Sequence, residues 1–286
     1  MNIENPLVSV LMTAYNREKF IAEAIESVLA STYEHWELII VDDGSKDNTV
    51  TVAKEYEVKD PRIKVFVNEK NLGDYPNRNK AISHASGEYC MFCDSDDTLL
   101  PESISKIVNL VKDQPDFNFA MSWSAAKQPQ IVSSFESLNT HFFQSQFLFI
   151  GPGGTFMRRS FINQVGRYPE KYGPANDMYF NLKVACNTAI LLFPFNLHIY
   201  REHEGQEIKN SFSYLHNNFR YLDDALNELP LPFPKQKIEW LRKKNYRRFV
   251  VNLLGYFRKT GNIKNTAAAW KKANFKPTYF FKGIFH

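Results

Sequence analysis

The chain has 286 residues, of which 44% are hydrophobic, 15% aromatic and 23% charged, with 12 glycines and 14 prolines. This length exceeds the roughly 100–200 residues of a common domain and favours one large α/β domain with an appendage. The composition excludes a collagen-like chain, a low-complexity chain and a globally disordered chain.

The cysteines and the apolar runs bear on the compartment. Cys90, Cys93 and Cys186 are too few for a disulfide framework in a chain of this length. Residues 1–6 lack the basic and then apolar run of a signal peptide, and no apolar stretch approaches the ~20 residues of a spanning helix. Cys90 and Cys93 have the spacing of a redox or zinc pair but fall in a predicted strand, so we expect both in the core. The sequence predicts a reducing, cytoplasmic compartment.

The net charge of +4 conceals a strong asymmetry along the chain. Residues 1–234 carry 21 Lys and Arg against 30 Asp and Glu, a balance of −9. Residues 235–286 carry 14 Lys and Arg against one acid, Glu239, a balance of +13. The C-terminal segment therefore differs electrostatically from the rest of the chain.

Apolar strands and amphipathic helices alternate over the first 115 residues. The predicted strands are 7–15, Trp36–Val41, Ile63–Val67 and Tyr89–Cys93. The predicted helices are one that follows Asn16 as its N-cap, two at 48–58 and 77–85, and one after Pro101. This alternation favours a mostly parallel sheet with helices on both faces, which binds ligands at the carboxyl ends of its strands.

The alternation stops near Gln114, and residues 125–153 are expected to be irregular. The remaining predicted elements look like a second lobe that completes the sheet, followed by basic helices. They are strands at 117–124, 154–158 and 189–200, a helix at 175–185, and helices from Lys235 onward.

Polar residues cluster at the predicted carboxyl ends of three strands. They are Thr13 and Tyr15 after the first strand, Asp42 and Asp43 after the second, and Asp94, Asp96 and Asp97 after the fourth. Three carboxylates within four residues repel one another unless a cation or hydrogen-bond donors neutralise them, and such ligands suit Mg²⁺ or Mn²⁺ shared with substrate phosphates. Two plainer alternatives stay open: an Asx turn at 42–45, and solvated acids before a helix at 94–97.

Five short motifs follow one another along the first part of the chain, within a region of similarity that covers roughly residues 7–205. In order they are 8–16 (VSVLMTAYN), 40–45 (IVDDGS), 71–73 (NLG) with Arg78 and Asn79, 86–89 (SGEY) and 94–97 (DSDD). With these motifs the chain resembles family 2 glycosyltransferases of the GT-A fold. The resemblance implies an α/β, Rossmann-like GT-A domain at 1–234, whose nucleotide-binding part is about 1–115 and whose acceptor part is about 116–234. Residues 235–286 would then form a basic, aromatic helical extension.

The resemblance also implies roles for individual residues. Thr13 and Tyr15 would line the nucleotide pocket, and Asp43 would accept the uracil imide N–H. Asp94 and Asp96 match the family's Asp-x-Asp motif, whose acids meet the ribose and the Mn²⁺ or Mg²⁺ ion that bridges the diphosphate.

Three further positions match the family less strictly. Arg78 would lie beside the nucleotide, where a fixed cation suits a diphosphate; outside this context an ordinary surface salt bridge would be the plainer interpretation. His203 falls where some relatives place a late histidine near the metal or the diphosphate, although a lone histidine is more often structural. Gly153-Gly154 resembles the family's small-residue segment below the sugar, where the backbone approaches closely.

Inverting transfer needs a general base that takes the proton of the attacking hydroxyl. The stretch that matches the family's base motif is Gly166-Arg167-Tyr168-Pro169 followed by 174–178, so Asp177 is the candidate. The usual Glu-Asp pair is Asn176-Asp177 here, which makes the neighbour neutral and keeps the base. The alternative is that Asp177 only caps its helix.

The C-terminal segment combines its 14 cations with eleven aromatic residues. A core-facing stripe explains part of this pattern but not the cations; its members are Phe249, Val250, Leu253, Leu254 and Phe257. Basic residues around an apolar face suit an anionic membrane surface. Nucleic acid would also attract them, but no nucleic-acid-binding fold signature accompanies them, so no nucleic acid partner is expected.

The sequence therefore predicts an inverting, metal-dependent glycosyltransferase with a UDP-sugar donor. Its acceptor would be a glycan or a polyprenyl-linked lipid in bacterial-type surface polysaccharide synthesis, at the inner face of the cell membrane. One alternative is a nucleotidyltransferase, which attacks phosphorus and normally has a glycine-rich, basic phosphate loop; no such loop is evident. The other is a non-catalytic nucleotide-sugar or glycan-binding module.

Overall fold

The computed structural model describes residues 5–114, 116–203 and 210–284. The chain divides into two compact units. Unit 1 comprises residues 1–134, 150–168 and 188–202, and unit 2 comprises residues 135–149, 169–187 and 203–286.

Unit 1 is built on a mixed sheet. The strands are β1 (Val8–Ala14), β2 (Trp36–Asp42), β3 (Ile63–Val67), β4 (Tyr89–Phe92), β5 (Thr98–Leu99), β6 (Phe119–Ser122), β7 (Gln130–Val132), β8 (Thr155–Arg158), β9 (Ile190–Phe193) and β10 (His198–Ile199). Eight of them form one sheet in the order β3-β2-β1-β4-β8-β6-β9-β7, while β5 and β10 pair separately. Strands β1 to β4 are mutually parallel, and β8 runs antiparallel to both of its neighbours. The prediction of a mostly parallel central sheet is confirmed.

Helices flank this sheet in unit 1 and make up unit 2. The helices of unit 1 are α1 (Ile21–Leu29), α2 (Thr49–Lys59), α3 (Asp74–His84), α4 (Ser103–Val111) and α6 (Arg159–Val165). Helix α5 (Ser134–Phe143) belongs to unit 2 except for its first residue. The other helices of unit 2 are α7 (Asn176–Asn187), α8 (Ser211–Glu228), α9 (Lys235–Thr260), α10 (Ile263–Lys272) and α11 (Pro277–Ile284). Among the described residues, none of the helices combines the length and apolar character required to traverse a bilayer.

The apolar pattern of the sequence explains the core of unit 1. Every residue of β1 and β2 is buried, as expected for central parallel strands that are covered on both faces. Helices α1 and α4 present apolar residues at helical spacing to the same cluster, among them Ile25, Val28 and Ile107. Cys90 and Cys93 are buried free thiols of this core, as predicted.

Three expectations about local structure were wrong. Asn16 does not cap α1, because the helix begins at Ile21 and Asn16 has a left-handed backbone with φ of 54°. Residues 125–153 are not irregular, since they contain β7 and α5; β7 is largely exposed, so it lacks the apolar alternation that marks a strand. The predicted strand 189–200 is interrupted between β9 and β10 by a turn that contains Pro194, which has no N–H to donate to a ladder.

A buried carboxylate holds β1, β2 and the entry to β4 together. Glu37 Oε1 accepts hydrogen bonds from Ser9 Oγ at 2.6 Å, from Ser86 N at 2.6 Å and Oγ at 2.9 Å, and from Gly87 N at 3.1 Å. Burial by itself would raise the pKa of Glu37, but these donors outweigh it and leave the pKa below its ordinary value. A Cβ at Gly87 would lie 2.7 Å from Leu7 O, so only glycine fits beside this carboxylate.

Unit 2 has its own aromatic core, formed by α8 and the C-terminal helices. Its buried members are Leu215, Phe219, Tyr246, Phe249, Val250, Leu253, Ala269, Ala273 and Phe275. The predicted core stripe is therefore only partly right: Phe249, Val250 and Leu253 are buried, whereas Leu254 and Phe257 are 58% and 41% exposed. Helix α8 precedes residue 235 but shares this core with the helices that follow it. The division of the chain into domains at residues 234 and 235 stays a prediction.

The Glu37 contacts predict a pH-dependent loss of stability in Glu37→Gln. A buried carboxylate with several donors contributes about 1.5–3 kcal/mol, and a lowered folded pKa makes this contribution present above the unfolded pKa and lost as pH falls through the folded pKa. Thermal unfolding should therefore show a lower midpoint for the variant at pH 7 and a smaller difference toward pH 3. Exposed Glu55→Gln is the control, and an equal deficit at both pH values would contradict the prediction.

Phe249 and Phe257 give a matched pair within α9. We expect Phe249→Ala to cost about 3–5 kcal/mol, because it removes a buried ring and leaves a cavity among aromatic neighbours. Phe257→Ala should cost under about 1 kcal/mol. Urea unfolding followed by near-ultraviolet circular dichroism measures both, and similar losses in the two variants would contradict the assignment of buried and exposed faces.

Candidate active site

The carboxyl ends of β1, β2 and β4 meet at one edge of the sheet and bring the predicted polar residues together. Thr13, next to the end of β1, donates from Oγ1 to Asp94 Oδ1 at 3.3 Å, and Ser95 Oγ donates to Thr13 O at 2.7 Å. Asp43 N, after β2, donates to Ala14 O at 2.8 Å. Parallel pairing therefore places residues that are 29, 81 and 82 positions apart side by side.

Asp42 and Asp43 have different tasks. Asp42 Oδ1 accepts from Gly44 N at 3.0 Å and from Ser45 N at 2.8 Å, which is the Asx turn that the sequence left open. Asp43 is buried, and its carboxylate accepts from Leu72 N at 2.9 Å, from Gly73 N at 2.8 Å and from the side chain of Asn68 at 2.8 Å. The Asp43 carboxylate thus anchors the loop between β3 and α3.

The loop after β1 is braced against the loop after β2. Asn16 N donates to Ser45 Oγ at 2.8 Å, and Lys46 N donates to Asn16 Oδ1 at 2.8 Å. Arg17 N donates to Thr49 Oγ1 at 2.7 Å. Tyr15, which precedes these contacts and directly follows β1, is 42% exposed.

Arg78 neutralises the first acid of the cluster. It reaches Asp94 in a bidentate pair, with NH1 to Oδ1 at 2.7 Å and NH2 to Oδ2 at 2.8 Å, and its Nε lies 2.9 Å from Asp74 Oδ1. Although burial opposes the charge of Arg78, Asp74 and Asp94 raise its pKa well above the usual range. The guanidinium also lies over the Phe92 ring at 5.2 Å. Arg78 is therefore a buried, fixed cation of the site and not a surface helix residue.

Asp96 and Asp97 have other partners. Arg17 Nε donates to Asp96 Oδ2 at 2.8 Å, and Arg201 Nε donates to the carbonyl of Asp96 at 2.5 Å. Asp97 Oδ1 accepts from Arg201 N at 3.1 Å, and its Oδ2 lies 3.5 Å from His198 Nε2. Burial, with Asp94 and Asp96 nearby, raises the pKa of Asp97 to about 6.

His198 is held close to a glycine turn. A Cβ built on Gly153 would lie 2.7 Å from His198 Cε1, so the imidazole can occupy this position only beside glycine. The place of Gly153-Gly154 below the sugar stays a prediction.

The acid cluster offers the type of donor atom that a divalent metal ion binds. Asp94 and Asp96 offer carboxylate oxygens within three residues, and these suit a hard cation that takes its remaining ligands from substrate phosphates and water. Within 5–114, 116–203 and 210–284, no three acidic, histidine or cysteine side chains are grouped as an all-protein metal site.

Asp177 and His203 belong to unit 2, so their roles stay predictions. Asp177 lies in the first turn of α7, where its Oδ1 accepts from Met178 N at 2.7 Å. Its neighbour Asn176 braces the preceding turn, accepting from Tyr172 N at 2.9 Å and donating to Gly173 O at 2.7 Å. His203 is half-buried and precedes the undescribed residues 204–209.

Sequence reasoning missed four residues that take part in the site. Arg17 directly follows the matched segment that ends at Asn16, and Arg201 lies two positions before the candidate histidine. Asn68 follows the third strand, so its place after a carboxyl end was a usable signal. His198 gave no signal, because it meets Asp97 only through the pairing of β10 with β5.

Comparisons with known proteins agree with this arrangement. Residues 9–166 match the family model described as Glycosyl transferase family 2. An uncharacterized glycosyltransferase of Methanocaldococcus jannaschii, MJ1057, is 32% identical over 196 residues, which cover 65% of this chain and 67% of that protein. The Escherichia coli UDP-Glc:alpha-D-GlcNAc-diphosphoundecaprenol beta-1,3-glucosyltransferase WfgD is 39% identical over 109 residues, which cover 38% of this chain and only 42% of WfgD.

Two solved structures share the fold. Staphylococcus aureus TarS 1–349, in complex with UDP-GlcNAc, superposes with a TM-score of 0.66 at 21% identity and covers 93% of this chain and 79% of that one. The mannosyltransferase PcManGT of Pyrobaculum calidifontis, in complex with GDP-Man and Mn²⁺, superposes with a TM-score of 0.64 at 16% identity and covers 98% and 86%. The family match spans more than half of the chain, and its motifs supply the clustered residues at the sheet edge. The chain belongs to glycosyltransferase family 2 and has the GT-A fold.

Proposed function

We propose that the chain transfers a sugar from a nucleotide diphosphate donor, a UDP-sugar, to a glycan or polyprenyl-linked acceptor with inversion at the anomeric carbon. The observation that carries this proposal is the meeting of Thr13, Asp43, Arg78, Asp94 and Asp96 at the carboxyl ends of β1, β2 and β4. In an α/β sheet this edge is where ligands bind. The UDP-GlcNAc complex of TarS and the name of WfgD support the choice of nucleotide and of lipid-linked acceptor.

The donor would bind through groups that the fold already holds in place. Tyr15 offers an exposed ring beside the carboxyl ends of the strands. The loop that Asp43 anchors would lie against the base. Asp43 itself would accept the uracil imide N–H, since a carboxylate has lone pairs beyond those that Leu72, Gly73 and Asn68 use. Arg78 supplies a fixed positive charge near the diphosphate.

Asp96 and Asp94 would hold the Mn²⁺ or Mg²⁺ ion. When bound, the ion neutralises charge on the leaving diphosphate. Each of the two carboxylates already accepts a hydrogen bond from a guanidinium, and this supports the proposal that they meet a cation. The Mn²⁺ complex of PcManGT supports this part of the proposal, and His203 stays a further candidate ligand.

Asp177 would act as the general base. Its position in the first turn of α7 leaves its carboxylate half-buried, and Asn176 beside it is committed to the turn at 172–176. Asn176 is neutral and adds no negative charge beside Asp177. The carboxylate would take the proton of the acceptor hydroxyl as that hydroxyl attacks.

The acceptor side of the proposal concerns α9. The face of α9 opposite the buried core carries a stripe of residues three or four apart, which we name the α9 stripe. Its members are Trp240, Lys244, Arg247, Val251, Leu254 and Arg258, and all of them are exposed. Lys244 Nζ lies 5.0 Å from the Trp240 ring centroid, so cation and ring are already paired.

The α9 stripe suits the surface of an anionic membrane. Cations would meet lipid head groups, while Trp240, Val251 and Leu254, exposed by 49%, 58% and 58%, would enter the interface. The balance of +13 over residues 235–286 supports this location, and we propose that the enzyme works peripherally at the inner face of the cell membrane. A lipid-linked acceptor would be reached there.

The function is tested by a panel of nucleotide sugars with Mn²⁺, in which release of the nucleotide diphosphate is measured with and without glycan and lipid-linked acceptors. We expect release with one UDP-sugar, and an acceptor-dependent increase. Release of pyrophosphate from a nucleoside triphosphate would instead indicate a nucleotidyltransferase. Binding of a donor without any release would indicate a non-catalytic module.

Asp177→Asn separates donor binding from transfer in this assay. The amide keeps the shape of the side chain and removes its basicity, so donor affinity should be unchanged while transfer falls ~10²-fold or more. Asp113→Asn, an exposed change, is the matched control. Transfer near the parental rate by folded Asp177→Asn would rule out this residue as the base.

The membrane proposal is tested by changing the α9 stripe and leaving the helix intact. Deletion of residues 235–286 would remove part of the core of unit 2, so substitution is the cleaner test. We expect Lys244→Gln, Arg247→Gln and Arg258→Gln together to weaken binding to phosphatidylglycerol-containing vesicles about a hundredfold, at ~1 kcal/mol for each cation.

Exposed lysines of unit 1 give the matched control for this triple variant. Lys59→Gln, Lys112→Gln and Lys127→Gln remove the same charge elsewhere and should leave vesicle binding unchanged. Binding of the full-length protein should fall as salt rises but not vanish, because the apolar contribution is not screened. Equal binding to neutral and anionic vesicles would contradict the proposal.

A further inference from the structure

The three arginines around the acid cluster are not equally fixed. Arg78 makes a bidentate pair with Asp94, and only 8% of its side chain is exposed. Arg201 donates to the backbone carbonyls of Asp96, Asp97 and Phe20 and pairs with Glu23. Both of these arginines therefore hold the chain together as well as neutralise charge.

Arg17 is held differently. Its side chain is 27% exposed and meets the cluster through a single hydrogen bond, from Nε to Asp96 Oδ2 at 2.8 Å. Its NH1 donates to the carbonyls of Tyr15 and Asn16, which lie on its own loop, at 3.1 and 3.2 Å. The backbone of Arg17 is anchored separately, through Thr49. The guanidinium can therefore leave Asp96 without loss of the loop.

We infer that Arg17 is a built-in counter-ion for Asp96, which it neutralises until a divalent cation binds there with the nucleotide diphosphate. This inference rests on the proposed function, in which Asp96 is a metal ligand. Arg17 pairs with Asp96 through Oδ2 at 2.8 Å, and its positive charge repels a dication at the same carboxylate, so the two cations compete for Asp96. Arg17 is then a residue that tunes metal affinity and does not itself react.

The competition couples the metal to the donor. Without donor, a divalent cation would displace Arg17 and gain only a few carboxylate ligands. With donor, the diphosphate supplies further anionic oxygens to the cation and an alternative anionic partner to the displaced guanidinium, so the displacement costs less. Metal affinity should therefore be low in the donor-free protein and should rise with UDP, and by linkage UDP affinity should rise with the metal by the same factor.

The test measures Mn²⁺ binding to the full-length protein in the absence of donor, by electron paramagnetic resonance of free Mn²⁺. We expect Arg17→Gln to tighten Mn²⁺ binding about two- to fivefold, on the scale of a partly exposed ion pair. Arg17→Lys keeps the charge and should stay closer to the parent. Lys59→Gln, which removes an exposed charge elsewhere in unit 1, should leave the affinity unchanged.

A second readout uses the coupling itself. UDP should raise the apparent Mn²⁺ affinity by a larger factor in the parent and in Arg17→Lys than in Arg17→Gln, because the competitor is already absent from the glutamine variant. Thermal unfolding of each variant confirms that it is folded, and Arg17→Lys keeps the test informative if the glutamine variant is not.

Asp96→Asn distinguishes the failure of this inference from the failure of the proposed function. If Mn²⁺ binding survives Asp96→Asn unchanged, Asp96 is not a ligand, and both the metal role and the counter-ion role are overturned. If Asp96→Asn abolishes Mn²⁺ binding but Arg17→Gln leaves affinity and coupling at parental values, only the counter-ion role is overturned.

Discussion

Three carboxylates within four residues cannot share a partly buried turn unless cations and donors neutralise them. The chain meets this constraint with donors from three distant segments: Arg78 on α3 pairs with Asp94, Arg17 after β1 pairs with Asp96, and the backbone N–H of Arg201 after β10 donates to Asp97. Each contact joins parts of the chain that are far apart in sequence, so neutralising the acids also positions the loops. The charge that would attract a dication thus shapes the site before any ligand arrives.

The other half of the site depends on a carboxylate of a different kind. Asp43 is buried and accepts from two backbone N–H groups and a side-chain amide, so its negative charge serves to hold the loop at 68–73. Glu37 does the same at the opposite ends of β1 and β2. Acids satisfied by internal donors fix the backbone, whereas Asp96, which Arg17 meets through one hydrogen bond, is the acid at which we propose an exchange of cations. Because these hydrogen bonds already order the loops of the site, a ligand loses less of its binding free energy in ordering them.

Unit 2 shows how one helix can serve a core and a surface. The aromatic residues of α9 that point to α8, such as Phe249, are fully buried, whereas Trp240 and Leu254 are exposed among cations. The segment is thus not a detached basic tail. Lys244, Arg247 and Arg258 lie on the side of α9 that the core does not use, and this is where we propose that a surface of opposite charge binds.

The sequence by itself determined the parallel strands, the motifs at their carboxyl ends and the family, because apolar runs and strand-end polar residues are local signals. It did not determine which cation meets which acid. Arg17 and Asp96 are 79 residues apart, and His198 reaches Asp97 only because β10 pairs with β5. It also mistook Asn16 for a helix cap, since its true partners, Ser45 and Lys46, lie on another loop. Tertiary structure decided these pairings because ion pairs and hydrogen bonds depend on distance in space, and strand order sets that distance.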